Sequence, residues 1–338
     1  MKASSFRSLA PSQPVSNLVQ RQELLSVVRV LVEQPTAPFH EEAVRDEIVA
    51  QLRECAHVKI EHDAYGNMIA RYRRGPRAQA QWAFAAHMDH PGWVRGEEGN
   101  WRFLGSVAER FLIDPKRREF GNFAMWDLPA FELKDDQIHS RACDDLLGCA
   151  EIICLFRELE AAKANAHCLG IFTRAEEVGF WGAIQLARAG ILPKNITVFS
   201  LETSTPRGGA EIGRGPIVRV GDRLSIFDSG ETARLISVAA ANKIPVQRCL
   251  LDGGACEASA YQLYGYRSVA ASIGLGNYHN CAPDGSIQCE YVSVEDYANM
   301  VRLCVALVSE AKKSEPSKVL RDSLEKRAAG YTPLFRQI

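Results

Sequence analysis

Two adjacent acids, Glu176 and Glu177, stand where an apolar run over 168–172 gives way to a helix-like segment over 180–189. Four other acid or imidazole positions share that placement. His87 ends the apolar run 82–86, with Asp89 two residues on; Asp144 and Asp145 open a helical stretch; Glu202 follows the run 196–201; His279 follows the run 268–275. Each has an ordinary explanation when taken alone, as a helix cap, a first-turn acid or a histidine at a core edge. Their joint placement points to chemistry, because an open α/β sheet binds ligands at the carboxyl ends of its strands.

Two imidazoles and three carboxylates on one rim make a donor set for divalent metal. Zinc takes imidazole nitrogen and carboxylate oxygen at about 2.0 to 2.2 Å, and a catalytic site keeps one position for water. If Asp144 bridges two ions, with His87 and Glu202 on one and Glu177 and His279 on the other, three negative charges face four positive ones. A hydroxide bridging the two metal ions offsets the remainder and is the nucleophile. Glu176, beside a ligand but not needed as one, is then placed to act as general base and return the proton to the leaving amine. Asp89 can accept the N–H of His87 and fix its tautomer.

The surrounding pattern supplies the scaffold. Residues 17–34 and 41–55 carry apolar side chains at helical spacing, 58–62 and 68–72 form a hairpin around Tyr65-Gly-Asn67, and 81–86 is a buried strand. Strand and helix then alternate from 146 to 275, and a long helix is expected over 291–312, followed by a charged segment to about Arg327. The expected fold is α/β, a mixed and mostly parallel sheet flanked by helices in an α/β/α arrangement. Residues 17–92 and 140–338 form the catalytic part, 93–139 a small all-β insertion, and 1–16, rich in Ser and Pro, a flexible N-terminal arm.

At 338 residues, with 46% hydrophobic and 24% charged side chains, the chain has the make-up of a soluble globular protein. A formal net charge of -1 gives no basic surface for nucleic acid or an anionic membrane. No apolar run reaches the length of a membrane span, and the first residues lack the apolar core of a signal peptide, so a cytoplasmic location is expected. The ten cysteines contain no Cys-x-x-Cys pair and read as buried free thiols.

These residues carry a resemblance. The segments His87-x-Asp89-x-x-Gly92, Asp144-Asp145-x-x-Gly148, Glu176-Glu177-Val-Gly179 with Gly182-Ala183, and Tyr278-His279 resemble, in kind and order, the di-metal co-catalytic aminopeptidases of the tetrahedral, glutamyl and deblocking group. Arg214-Gly-Pro216, Gly221-Asp-Arg223 and Gly253-Gly254 fall in the same order. The resemblance implies a zinc-exopeptidase fold that hydrolyses N-terminal peptide bonds. It implies His87, Asp144, Glu177, Glu202 and His279 as metal ligands, Glu176 as general base, Asp89 as the orienting acid, and a cis peptide between Asp144 and Asp145. Two divalent ions are the implied cofactor, zinc first, with cobalt or manganese tolerated by the same donors. Peptides are the implied substrates. A homo-oligomer is implied too, but the short β insertion argues against the family's dodecameric shell and leaves a dimer or monomer as alternatives.

The chain departs from the family pattern where His90-Pro91 replaces an acid, where Glu202 replaces Asp, and where Ala255-Cys256 replaces a Thr-Asp pair. A thiol cannot pair with an amine as an acid does, which raises Glu257 as a substitute for Cys256. A related class, the di-zinc deacylases, dipeptidases and carboxypeptidases, uses nearly the same ligands but places a lid before the last histidine. The stretch from Glu202 to His279 is too short to hold one. A catalytically inactive peptide-binding relative would lack the base or a ligand, and a serine or cysteine hydrolase would need a nucleophile elbow that is missing.

Overall fold

Apolar residues fill both faces of the run Trp82–His87, which suits a strand buried between two layers. The computed structural model describes residues 18–76, 79–310 and 316–335, and in it all six residues of this strand are buried. Phe84 and Ala86 pack into one core with the helices Leu18–Val32, Glu42–Leu52, Leu146–Ala161 and Val294–Ser309. Ala83 and Ala85 pack into a second core with Trp181–Ala189 and Glu257–Leu263. The architecture is therefore α/β/α on a mixed sheet.

The centre of the sheet is parallel, in the order His167–Thr173, Trp82–His87, Thr197–Ser204, Arg267–Gly276. Its margins are antiparallel. The hairpin Val58–His62 and Met68–Arg73 extends one side, and Glu290–Ser293, Gln137–Ser140 and Glu132–Lys134 extend the other. Ile217–Gly221 branches off antiparallel to 270–272 and pairs in parallel with Gln247–Leu250. The parallel register brings carboxyl ends level, with Thr173 opposite His87 and Glu202 opposite Ser272. One edge of the sheet thus receives the segments that the sequence marks for chemistry.

A second sheet orders Trp101–Leu104, Gly92–Arg95, Phe123–Trp126 and Arg117–Phe120. It has its own aromatic core, in which Trp93 meets Trp126 edge-on at 4.6 Å and Phe103 at 4.9 Å between ring centroids. Trp101 lies between the guanidinium groups of Arg95 and Arg117, at 4.6 and 4.9 Å.

Several boundaries differ from the sequence expectation. Residues 132–139, read as part of the β insertion, join the main sheet: Gln137–Ser140 pairs with Glu290–Ser293, and Glu132–Lys134 pairs with Gln137–Ser140. Glu202 lies within its strand rather than after it, because pairing with Arg267–Gly276 continues to Ser204. The helix expected from 291 begins at Val294, after the strand Glu290–Ser293, with Ser293 capping it by accepting the Asp296 N–H at 3.4 Å. The arm over 1–16 lies outside the described residues. All ten cysteines are free thiols, seven of them buried. No helix among the described residues is long and apolar enough to cross a membrane.

Glu151 is an anomaly in the core. It lies mid-helix in Leu146–Ala161, has no solvent exposure, and neither carboxylate oxygen has a hydrogen-bond partner. Burial pushes its carboxyl well above the ordinary 4.5, so the folded chain holds a proton there that the unfolded chain releases. Its contribution to stability is complete below pH 4.5 and is lost as pH rises toward the folded value. Glu151→Met is expected to stabilise the fold by about 1–3 kcal/mol, with a margin over the wild type that widens with pH. Thermal unfolding at about pH 6 and about pH 9 checks this, and a margin that does not change with pH would remove the assignment.

Candidate active site

Three turns at the carboxyl edge of the sheet position the candidate side chains. After Thr173 the chain passes through Ala175 and Phe180 in left-handed conformations, φ 52° and 59°. These are costly for residues with a Cβ and need outside support. The Arg174 guanidinium gives it, pairing with buried Glu41 at 2.8 Å and donating to the carbonyls of Phe39 at 3.0 Å and Tyr65 at 3.1 Å. The other Glu41 oxygen accepts the Ala175 N–H at 3.0 Å. Gly182 is required because a Cβ would lie 2.4 Å from Asn67 Oδ1 and 2.5 Å from the Arg174 carbonyl oxygen.

Asp89 closes this turn onto the neighbouring strand. Its carboxylate accepts the N–H groups of Glu176 at 2.9 Å and Glu177 at 3.2 Å. The expected contact with His87 is looser: His87 Nδ1 is 3.5 Å from Asp89 Oδ1 but 3.1 Å from the Asp89 backbone carbonyl. The backbone carbonyl rather than the side chain is therefore the nearer acceptor for His87.

The second turn, Asp144–Asp145, contains a cis peptide bond. Asp145 caps the helix Leu146–Ala161, accepting the Gly148 N–H at 3.3 Å. A Cβ on Gly148 would sit 2.4 Å from that carboxylate, which explains the Asp-x-x-Gly spacing. With Asp145 occupied as the cap, Asp144 is the acid turned to the rim. The third turn carries His279 at φ 53°, flanked by Asn277 and Asn280, also left-handed. His279 Nδ1 lies 3.0 Å from the carbonyl of Ser106, in the small-sheet segment.

Carbonyl oxygens only accept, so both histidines carry the proton on Nδ1 and turn Nε2 inward. His87 Nε2 lies 3.4 Å from Asp144 Oδ1, and His279 Nε2 lies 3.7 Å from Asp144 Oδ2. Glu177 Oε1 is 3.1 Å from His279 Nε2, yet neither atom makes a directed hydrogen bond, and Asp144 Oδ1 is likewise without one. Two groups of donor atoms, His87/Asp144/Glu202 and Asp144/Glu177/His279, each lie within 4.8 Å of one another, and His87/Glu176/Glu177 form a third. Orphaned, buried nitrogen and oxygen donors of this kind fit divalent cations.

The charges are tightly linked. Burial pushes Glu176 well above the usual carboxylate range and Glu202 up to about 8. Burial also disfavours charge on the two imidazoles and on Asp144, but mutual attraction prevails. His87, near Glu176 and Asp144, and His279, near Glu177 and Asp144, are held well above the ordinary histidine value, and Asp144 is held below its own. Protons in this cluster occupy the lone pairs a cation would use, so metal uptake must release them.

Beside the cluster lies a cavity of about 400 Å³ that is also lined by Arg207, Arg219 and Arg223. Arg219 is 3% exposed, its Nε has no hydrogen-bond partner, and its Nη1 is 3.5 Å from the hydroxyls of Ser204 and Ser272. Among the described residues no carboxylate lies within ion-pair distance of any of the three. The wall also includes Gly253, Gly254 and Ala255 but neither Cys256 nor Glu257. Cys256 packs with Phe227, Ala258 and Ala270, and Glu257 is buried near His87 and Thr173.

A carboxylate–imidazole cluster at the carboxyl edge of an α/β/α sheet, opening on a polar cavity, is the site of a metal-dependent hydrolase. Residues 116–303 match the M42 glutamyl aminopeptidase family, and the chain belongs to that family: it is a metal-dependent aminopeptidase that takes divalent metal. A protein of Acetivibrio thermocellus, provisionally named an aminopeptidase, is 26% identical over 324 residues, spanning 80% of this chain and 93% of its own. An aminopeptidase from the archaeon Desulfurococcus kamchatkensis shares the fold with a TM-score of 0.72 at 21% identity, covering 88% of this chain and 96% of the other. The TET1 peptidase of Pyrococcus horikoshii does so with a TM-score of 0.70 at 21% identity, covering 85% and 99%.

The structure brings His87, Asp89, Asp144, Glu176, Glu177, Glu202 and His279 to one edge. It adds Glu41, His90, Ser106, Arg219 and Glu290, which sequence reasoning missed as parts of the site. Arg219 left a signal, a lone arginine inside the apolar run Ile217-Val-Arg-Val220. Asp89→Ala would strand the N–H groups of Glu176 and Glu177, and metal retention is expected to fall about 10- to 100-fold. Elemental analysis after gel filtration measures it, and wild-type metal content would show that this clamp is dispensable.

Proposed function

We propose that this aminopeptidase holds two divalent ions, His87, Asp144 and Glu202 at one and Asp144, Glu177 and His279 at the other, with Glu176 as general base. The carrying observation is that two imidazoles, each with Nδ1 committed to a backbone carbonyl, point Nε2 at opposite oxygens of Asp144. That is the geometry of a bridging carboxylate. Glu176 also groups with His87 and Glu177, but the pair of clusters sharing Asp144 uses every candidate donor except Glu176. The mixed nitrogen and oxygen donors favour zinc, and cobalt or manganese would also bind. When bound, such ions lower the pKa of a shared water and polarise the scissile carbonyl.

Glu176 then handles protons. Its raised pKa suits a group that accepts a proton and returns it to the leaving amine. Asp89 fixes the backbone from which Glu176 projects. In the same cavity, buried Arg219, with Arg207 and Arg223 nearer solvent, supports peptides whose N-terminal residue is acidic, in keeping with the glutamyl specificity in the family's description. Self-association is supported by the Pyrococcus TET1 peptidase, which can assemble into a tetrahedron or a large octahedral shell. Ten unpaired cysteines are in keeping with a reducing cytoplasm.

Glu176→Gln is expected to retain two ions per chain and to lose about 10²- to 10⁴-fold in turnover. Wild-type turnover in a metal-replete variant would end the assignment. Arg219→Met is expected to lower kcat/KM for a glutamyl substrate at least about tenfold relative to a leucyl one, the scale of a charge-assisted contact of about 1.5–3 kcal/mol. An equal loss on both substrates would mean that Arg219 does not read the side chain.

A further inference from the structure

Beneath the rim, one buried carboxylate touches two of the three turns. Glu290, with no solvent exposure, accepts the N–H of Cys143 at 2.7 Å and of Asp144 at 3.1 Å through Oε2, and the N–H of His279 at 2.8 Å through Oε1. A second tie runs beside it. His90, 1% exposed, places Nδ1 2.6 Å from the Asp144 carbonyl, so Nδ1 carries the proton, and its Nε2, left as an acceptor, lies 3.1 Å from the Asn280 side-chain amide, whose Nδ2 is the donor available to it. The Asp144 peptide is thus gripped at its N–H by Glu290 and at its carbonyl by His90. The same two side chains hold His279 and its neighbour.

We propose that Glu290 and His90 are positioning residues that set the spacing between Asp144 and His279 and thereby fix the second metal position, a reading that rests on the two-ion assignment above. The two positions are supported differently. His87 and Glu202 lie on adjacent parallel strands, and each is itself in a ladder, His87 opposite Thr173 and Glu202 opposite Ser272. His279 instead sits in a turn with left-handed φ at Asn277, His279 and Asn280, a backbone that relaxes when its outside contacts are lost. Charged acceptors make the stronger hydrogen bonds to backbone N–H groups, so Glu290 can hold a turn that its own residues disfavour. Loss of either tie frees His279 from Asp144 while leaving His87 and Glu202 in place.

A role limited to folding would weaken both positions together or neither, and that separates the two explanations. Glu290→Gln keeps the size of the side chain but has one acceptor oxygen where two are used. His90→Phe keeps the ring and loses both of its hydrogen bonds. The zinc-loaded full chain of each variant is equilibrated with graded chelator buffers, and bound zinc per chain is counted by elemental analysis. The wild type is expected to release its ions in two steps. In both variants one step should stay within about threefold of the wild type while the other weakens about 10- to 100-fold, the usual scale for partners of metal ligands. Equal weakening of both steps, or no change in either, overturns the positioning role. A wild type that binds one ion overturns the two-ion assignment instead. If Glu290→Gln does not fold, His90→Phe alone decides, since Glu290 still holds both turns there.

Discussion

Carboxylates gathered in one buried place repel each other, and the rest of this site follows from how that repulsion is contained. Asp144, Glu176, Glu177 and Glu202 share the rim with two imidazoles, and burial drives Glu176 and Glu202 toward the neutral form. Strand ladders hold His87, opposite Thr173, and Glu202, opposite Ser272, regardless. The turns have no such ladder, so each is held by a further buried acid: Asp89 under Glu176 and Glu177, Glu41 under Ala175, and Glu290 under Asp144 and His279. Negative charge is used twice, once to face a cation and once to hold the backbone that presents it.

The supporting acids all bind backbone N–H groups, which explains how much of the molecule was legible in its sequence. Strand ends could be read because apolar runs stop there, so His87 and the Glu176–Glu177 pair stood out. The α/β alternation likewise gave the layers. Glu290 could not be found in this way. It acts on Asp144 across 146 positions of chain, and its own run, Cys289-Glu-Tyr-Val-Ser293, passes for the start of the following helix. His90 stood out only as a break in the family pattern, with nothing to mark its contacts to a carbonyl and an amide side chain, and Ser106, which offers only its own carbonyl, was silent. Periodicity reports which face of an element is buried; it says nothing about which peptide group a buried acid will meet.

The cavity of about 400 Å³ is lined by both signs of charge, the acids and His87 of the cluster and three arginines. A peptide end is also dipolar, with an ammonium group at its terminus and, in an acidic residue, a carboxylate a few bonds away. Such a field orients a substrate before any contact is made, since reversing the peptide would set like charges together. Arg219 is buried with its Nη1 3.5 Å from the hydroxyls of Ser204 and Ser272, and the charges of Glu202 and Asp222 favour its protonated form.

The contact between His279 and the Ser106 carbonyl has a consequence for how this enzyme tolerates change. Because the acceptor belongs to the main chain, every amino acid can supply it, and substitution at position 106 leaves the contact intact. What it cannot absorb is a change in chain length: one residue added or removed between Leu104 and Ser106 would shift the carbonyl away from the ring. The small aromatic sheet, inserted in sequence between His87 and Asp144, is therefore free to vary in composition at this contact while its length there is constrained by the His279 imidazole.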